Sequence, residues 1–106
     1  GQYDEAVKMA DEVIANADPK DAPLLGRAYL AKGVALRKAG KPQEALYALL
    51  RVDTLYSADR PSHAESLYHL VGVWQELKKP QRAVDAKRSL ETQYKESRWS
   101  KALEKK

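Results

Sequence analysis

The sequence predicts an all-α fold in which antiparallel helical hairpins stack as a short right-handed array of about six helices. Three observations lead to this prediction: apolar residues recur at three- and four-residue steps, no segment alternates as a strand does, and one heptapeptide pattern occurs three times. Alignment of the copies on Ala6, Ala45 and Ala83 gives steps of 39 and 38 residues. Because a lone amphipathic hairpin cannot bury its apolar face, each hairpin is expected to pack against the next.

The individual helices follow from the periodic segments and the turn residues between them. We predict helices at residues 2–17, 23–39, 42–57, 62–78, 80–95 and 98–105. Gly40 suits the left-handed residue that ends a helix, and Pro42 and Pro80 suit a first helical turn, where a missing N–H costs little. The chain is therefore predicted to be one domain, residues 1–106, with a partial unit at 1–17, full units at 23–57 and 62–95, and the start of a further or capping helix at 97–106.

Composition and charge narrow the function classes. The absence of cysteine excludes disulfides and thiolate metal sites, and no apolar run approaches the roughly 20 residues that a membrane-spanning helix needs. The net charge of +4 lies in the second half, because residues 1–53 hold eight basic and eight acidic side chains and residues 54–106 hold eleven and seven. No aromatic platform or Arg-rich stripe accompanies this basic half, so a solvated surface is favoured over a nucleic-acid surface.

Catalytic and metal-binding motifs are missing from the sequence. His63 and His69, the only histidines, are six residues apart on one predicted helix and therefore fall on opposite sides, unlike the i, i+4 pair of a zinc helix. There is no Gly-rich phosphate loop and no nucleophile-elbow motif. We therefore predict a chain that is not an enzyme and that has no catalytic residue, metal site or cofactor.

Several residues recur at matching places of the predicted units and resemble a known repeat. The segment Gly1-Gln2-Tyr3-Asp4-Glu5-Ala6 has the form Gly-x-Tyr-x-x-Ala, one full unit carries Ala28, Tyr29, Gly33, Leu36, Gly40 and Ala45, and the next carries Leu67, Leu70, Trp74 and Ala83 with Val71 and Lys78 in the places of the two glycines. This pattern resembles the tetratricopeptide repeat family. The resemblance implies a stack of helical hairpins, with Trp74 in the core. Trp99 opens the last predicted helix and is expected to pack on the preceding hairpin.

The turns between units carry a second resemblance. The segment from Leu90 to Ala102 is similar to the inter-unit turns of bacterial cell-envelope repeat proteins, although Lys95 stands where those turns have proline. This resemblance favours the bacterial cell envelope or periplasm over the cytoplasm. Composition leaves the compartment open.

The family resemblance also implies where a partner would bind. In that family the first helix of each unit lines a concave surface, which corresponds here to residues 23–39 and 62–78. The implied partner-binding residues are Arg27, Leu30, Val34, Arg37, Lys38, Tyr68, His69 and Gln75. Leu30 and Val34 occupy the places where some members carry Lys and Asn to clamp a peptide's terminal carboxylate, so a chaperone-tail adaptor is not expected.

The resemblance thus implies a non-enzymatic scaffold that presents a helix-lined groove to a protein or peptide partner. Two alternatives stay open: a basic helical repeat that binds nucleic acid, and a structural spacer or self-association module of a larger protein. The first helix carries Val7, Val13 and Ile14 on its apolar face. Exposure of that face would lead to homo-oligomers of the isolated chain, or would require an upstream helix to cover it.

Overall fold

The computed structural model describes residues 1–104, which form six α-helices joined by short turns. The helices are α1 (Gln2–Asn16), α2 (Ala22–Lys38), α3 (Pro42–Leu55), α4 (Arg60–Glu76), α5 (Pro80–Gln93) and α6 (Arg98–Glu104). The prediction of an all-α fold with six helices is confirmed, and residues 1–104 contain no strand. The predicted end of the last helix at residue 105, and the last two residues of the predicted segment 97–106, lie outside the described residues.

The helices pack in chain order, and two further contacts join helices that are two apart in the chain. Each helix contacts the next, α2 also contacts α4, and α4 also contacts α6. A single apolar core runs through the stack and includes Leu36, Ala45, Leu49, Leu70, Ala83 and Leu90. Ala45 and Ala83 are buried, as the repeat alignment predicts, because a methyl side chain allows two helices to approach closely. Trp74 and Trp99 are half-buried and pack against this core.

Two helix ends share one hydrogen-bond pattern but differ in the residue that turns the chain. At the end of α2, Gly40 has a φ of 79°, and the N–H of Lys41 donates to the carbonyl oxygen of Leu36 at 2.9 Å. At the end of α4, Lys78 takes the same role with a φ of 61°. A residue with a Cβ is disfavoured in this left-handed region, whereas glycine enters it freely. The α4 end is therefore strained where the α2 end is not.

Lys78→Gly is expected to stabilise the chain by about 0.5–1 kcal/mol, because relief of the left-handed strain exceeds the added freedom of glycine in the unfolded chain. A higher midpoint of urea unfolding with an unchanged slope would measure this gain. The reverse change at the matched position, Gly40→Lys, should lower the midpoint. Equal or lower stability of Lys78→Gly would contradict the strain at this turn.

A buried histidine joins three helices through its two ring nitrogens. His63 on α4 is 3% exposed, and its Nε2 lies 2.6 Å from Oδ1 of Asp53 on α3 while its Nδ1 lies 2.6 Å from the hydroxyl of Tyr94, which follows α5. Burial raises the pKa of Tyr94, as does the nearby Asp53 carboxylate, while Arg60 lowers it. Since the Asp53 carboxylate can only accept, Nε2–H donates to it, and in the neutral imidazole Nδ1 accepts from the Tyr94 hydroxyl.

Tyr94→Phe is expected to lower the free energy of unfolding by about 1–3 kcal/mol, because it leaves the buried Nδ1 of His63 without a donor. The matched control is Tyr56→Phe, one repeat earlier, where the hydroxyl makes no hydrogen bond within residues 1–104 and the ring stacks on Tyr29 at 5.6 Å. Urea unfolding of both variants makes the comparison. Equal stability of the two variants would show that the His63 contacts do not join the three helices.

Candidate partner-binding groove

Two adjoining cavities open beside α1 and α2. The larger one, which we call the inner cavity, has a volume of about 760 Å³ and is lined by residues of α1, α2, α4 and α6. The smaller one, the α1 cavity, has a volume of about 370 Å³ and lies between α1 and α2. Ala6, Arg27 and Ala31 line both cavities. The two therefore form one continuous surface, which we call the α1–α2 groove.

One face of α2 supplies the long wall of the inner cavity. Its lining residues are Arg27, Leu30, Ala31, Val34, Ala35 and Lys38. These positions are separated by three, four, seven, eight and eleven residues from the first, so they fall on a single helix face about 16 Å long. The middle of the stripe is apolar, and a cation stands at each end.

The opposite wall comes from α4 and α6. Pro61, Ser62 and Glu65 line it from α4, and Arg98 and Trp99 line it from the start of α6. The indole of Trp99 packs against the ring of Tyr68 with centroids 5.0 Å apart, and the guanidinium of Arg98 lies 4.6 Å from the Trp99 centroid. The predicted packing of Trp99 on the preceding hairpin is confirmed, and Trp99 also lines the inner cavity.

The inner cavity has an excess of positive charge. Three of its lining residues, Arg27, Lys38 and Arg98, are cationic, and Glu65 is the only acidic one. Arg27 lies 3.9 Å from the carboxylate of Asp59, but within residues 1–104 neither Lys38 nor Arg98 has a carboxylate oxygen within 4.0 Å. Burial raises the pKa of Glu65, while the charges of Arg98 and Lys38 lower it. The cavity thus presents two cations without an ion-pair partner in the described part of the chain.

The structure separates the predicted partner-binding residues into two sets. Four of them line the inner cavity: Arg27, Leu30, Val34 and Lys38. The other four lie outside both cavities: Arg37, Tyr68, His69 and Gln75. Tyr68 supports the cavity wall by packing against Trp99, and Gln75 lies exposed near the end of α4.

Arg37 holds α2 against α4 instead of facing the cavity. Its Nε donates to Oε2 of Glu76 at 3.1 Å, and its Nη1 donates to Nδ1 of His69 at 2.9 Å. The guanidinium also fills the space that a Cβ at Gly72 would need. A charge reversal at Arg37 would therefore disturb the contact between two helices, so it cannot serve as a test of partner binding.

The cavity also contains residues that were not predicted to bind a partner. Tyr3 and Ala6 reach it from α1, and Arg98 and Trp99 reach it from α6. The repeat alignment could have identified the α1 residues as part of an exposed apolar surface. Ala6 aligns with Ala45, which is fully buried against a neighbouring helix, whereas Ala6 itself is exposed.

No protein-family model, curated protein or solved structure matches this chain. Across residues 1–104, no cluster of three or more His, Cys, Asp or Glu side chains is arranged to hold a metal ion. None of the six described helices combines the length and the apolar character that crossing a bilayer demands.

Proposed function

We propose that this chain is a non-enzymatic scaffold of the tetratricopeptide type, which presents the α1–α2 groove to a protein partner. The observation that carries this proposal is the stripe along α2, with its apolar middle and a cation at each end. The inner cavity, at about 760 Å³, lies within the range of roughly 300–1,000 Å³ typical of ligand sites. Because the turns between units resemble those of bacterial cell-envelope repeat proteins, we place the proposed scaffold in the bacterial cell envelope.

The exposed apolar surface of α1 supports binding of a protein. Met9 is 64% exposed and Val13 is 38% exposed, and both line the α1 cavity. Contiguous apolar surface of this kind marks interaction sites in soluble proteins. Arg27, which lines both cavities, and Lys38, which lines the inner cavity, give the α1–α2 groove a polar rim, which is the usual arrangement of a protein interface.

Nucleic acid is a weaker candidate for the same surface. Tight binding to phosphates needs many cations, and affinity then falls steeply with salt. The groove offers Arg27, Lys38 and Arg98 around a mainly apolar lining. A fluorescent single-stranded RNA titrated at low salt distinguishes the two candidates, because the scaffold proposal expects no saturable binding.

Ala31→Glu tests the proposal without damage to the core. Ala31 is exposed, lies in both cavities, and sits in a helix that tolerates glutamate. The affinity for the partners that cross-link to the unaltered chain in the source cell should fall at least about tenfold, which corresponds to about 1.4 kcal/mol.

The matched control is Ala15→Glu, also at an exposed alanine within a helix but outside both cavities. This variant should retain its partners, and circular dichroism should show both variants folded. If both variants retain the same partners, the groove is not the binding surface and the role of a structural spacer is preferred.

A further inference from the structure

The packing of the helices repeats, and one copy of the repeat is open. The pair α3–α4 is covered by α2, which contacts both helices, and the pair α5–α6 is covered in the same way by α4. Within residues 1–104, no third helix contacts both α1 and α2. The α1–α2 groove therefore occupies the place where the other two pairs hold a helix.

Side-chain burial shows that the open face matches the covered ones. Ala48 on α3 and Ala86 on α5 are 4% and 8% exposed, whereas their counterpart on α1, Met9, is 64% exposed. Val52 is fully buried, whereas its counterpart Val13 is 38% exposed. The apolar positions that receive a helix on α3 and α5 are thus present on α1.

The contacts of Arg37 show what the covering helix touches. On α4 its guanidinium meets Glu76, His69 and Gly72. One repeat of 38 residues earlier, the equivalent positions on α2 are Lys38, Ala31 and Val34, respectively. All three line the inner cavity. The acidic Glu76 of α4 therefore corresponds to the basic Lys38 of α2. On a helix that covers α1–α2 as α2 covers α3–α4, the side chain equivalent to Arg37 would face Lys38. It would have to be acidic to pair with Lys38.

We infer that the α1–α2 groove binds an amphipathic α-helix of a partner protein, placed as α2 is placed on α3–α4, and that this helix presents an acidic side chain to Lys38. The inference rests on the proposed function and specifies its ligand. A folded second copy is disfavoured as the occupant, because α2 and α4, the helices with the matching face, already lie against their neighbours in the fold. The apolar face of the partner helix would cover Met9 and Val13.

The chain itself supplies a probe for this interaction. Two peptides with the sequence of residues 21–41 differ only at one position, where one keeps Arg37 and the other carries Arg37→Glu. Both carry Gly33→Ala, because Ala10 stands on α1 where Leu49 stands on α3 and leaves room for a methyl group. This change also raises the helicity of the free peptides.

Fluorescence anisotropy measures the binding of each labelled peptide to the full chain and to its Lys38→Glu variant. We expect the acidic peptide to bind the unaltered chain about fivefold or more tightly than the basic peptide, since an attractive pair replaces a repulsive one. The preference should reverse with Lys38→Glu. Such a reversal identifies the position of the helix as well as its charge.

Three outcomes would overturn the inference. Equal affinity of the two peptides would show that Lys38 does not face the position of Arg37, and binding of neither would show that the groove does not accept a helix in this place. A dimer of the unaltered chain that Met9→Asp dissolves, seen by sedimentation, would assign the face to a second copy. If the peptides fail to bind while Ala31→Glu still removes partners, the proposed function stands and only the helix assignment is lost.

Discussion

Replacing Leu36 with Asp is expected to unfold the chain. Leu36 lies in the core cluster and is 5% exposed, so the new carboxylate would be buried without a partner. An unpaired polar or charged group in such a site costs several kcal/mol, which is comparable to the whole stability of roughly 5–15 kcal/mol expected for a domain of this size. Far-UV circular dichroism should show a large loss of helix at 25 °C and no cooperative thermal transition.

Leu55→Asp is the matched control for this substitution. Leu55 lies at the end of α3 and is 58% exposed, so the same change should alter stability by about 0.5 kcal/mol or less. A folded, cooperative Leu36→Asp variant with the stability of Leu55→Asp would show that Leu36 is not in the core.

The contact between Gly33 and Leu49 should give the second largest effect. Leu49 is fully buried, and a Cβ built on Gly33 would lie 2.6 Å from its Cγ. We expect Leu49→Ala to cost about 2–5 kcal/mol through the cavity it leaves, and Gly33→Ala to cost about 1–3 kcal/mol through overpacking.

The double variant separates direct contact from two unrelated losses. The methyl group at position 33 would enter the space that Leu49→Ala vacates, so the combined loss in urea unfolding should be smaller than the two single losses together by at least about 1 kcal/mol. Strict additivity would show that α2 and α3 do not meet at these two residues.

The helices themselves were predictable because their signals are local. The apolar period of each segment and the residues Gly40, Pro42 and Pro80 identify where helices begin and end, and the observed bounds differ from the predicted ones by at most two residues within the described chain. Lys78 takes the left-handed conformation that Gly40 has one repeat earlier, because the hydrogen bonds that close the end of α4 outweigh the local preference of lysine.

The groove was predictable only in part, for a geometric reason. The face of α2 that carries Leu30 and Val34 follows from the helical period. Which neighbour each face meets depends on how the hairpins pack, so the sequence did not separate Lys38, in the groove, from the adjacent Arg37, in the contact with α4. The contact of His63 with Tyr94 joins residues 31 positions apart and had no sequence signal.

The most direct test of the repeated packing uses the absence of cysteine from the chain. Single cysteines at Met9, Ala48 and Ala86 probe equivalent positions of three successive repeats, and the rate of maleimide labelling in the native state measures the exposure of each thiol. We expect the thiol of Met9→Cys to react about as fast as in the unfolded chain, those of Ala48→Cys and Ala86→Cys to react far more slowly, and the acidic helical peptide to protect the first alone. Equal labelling rates at all three positions would contradict an array of covered hairpins with one open groove.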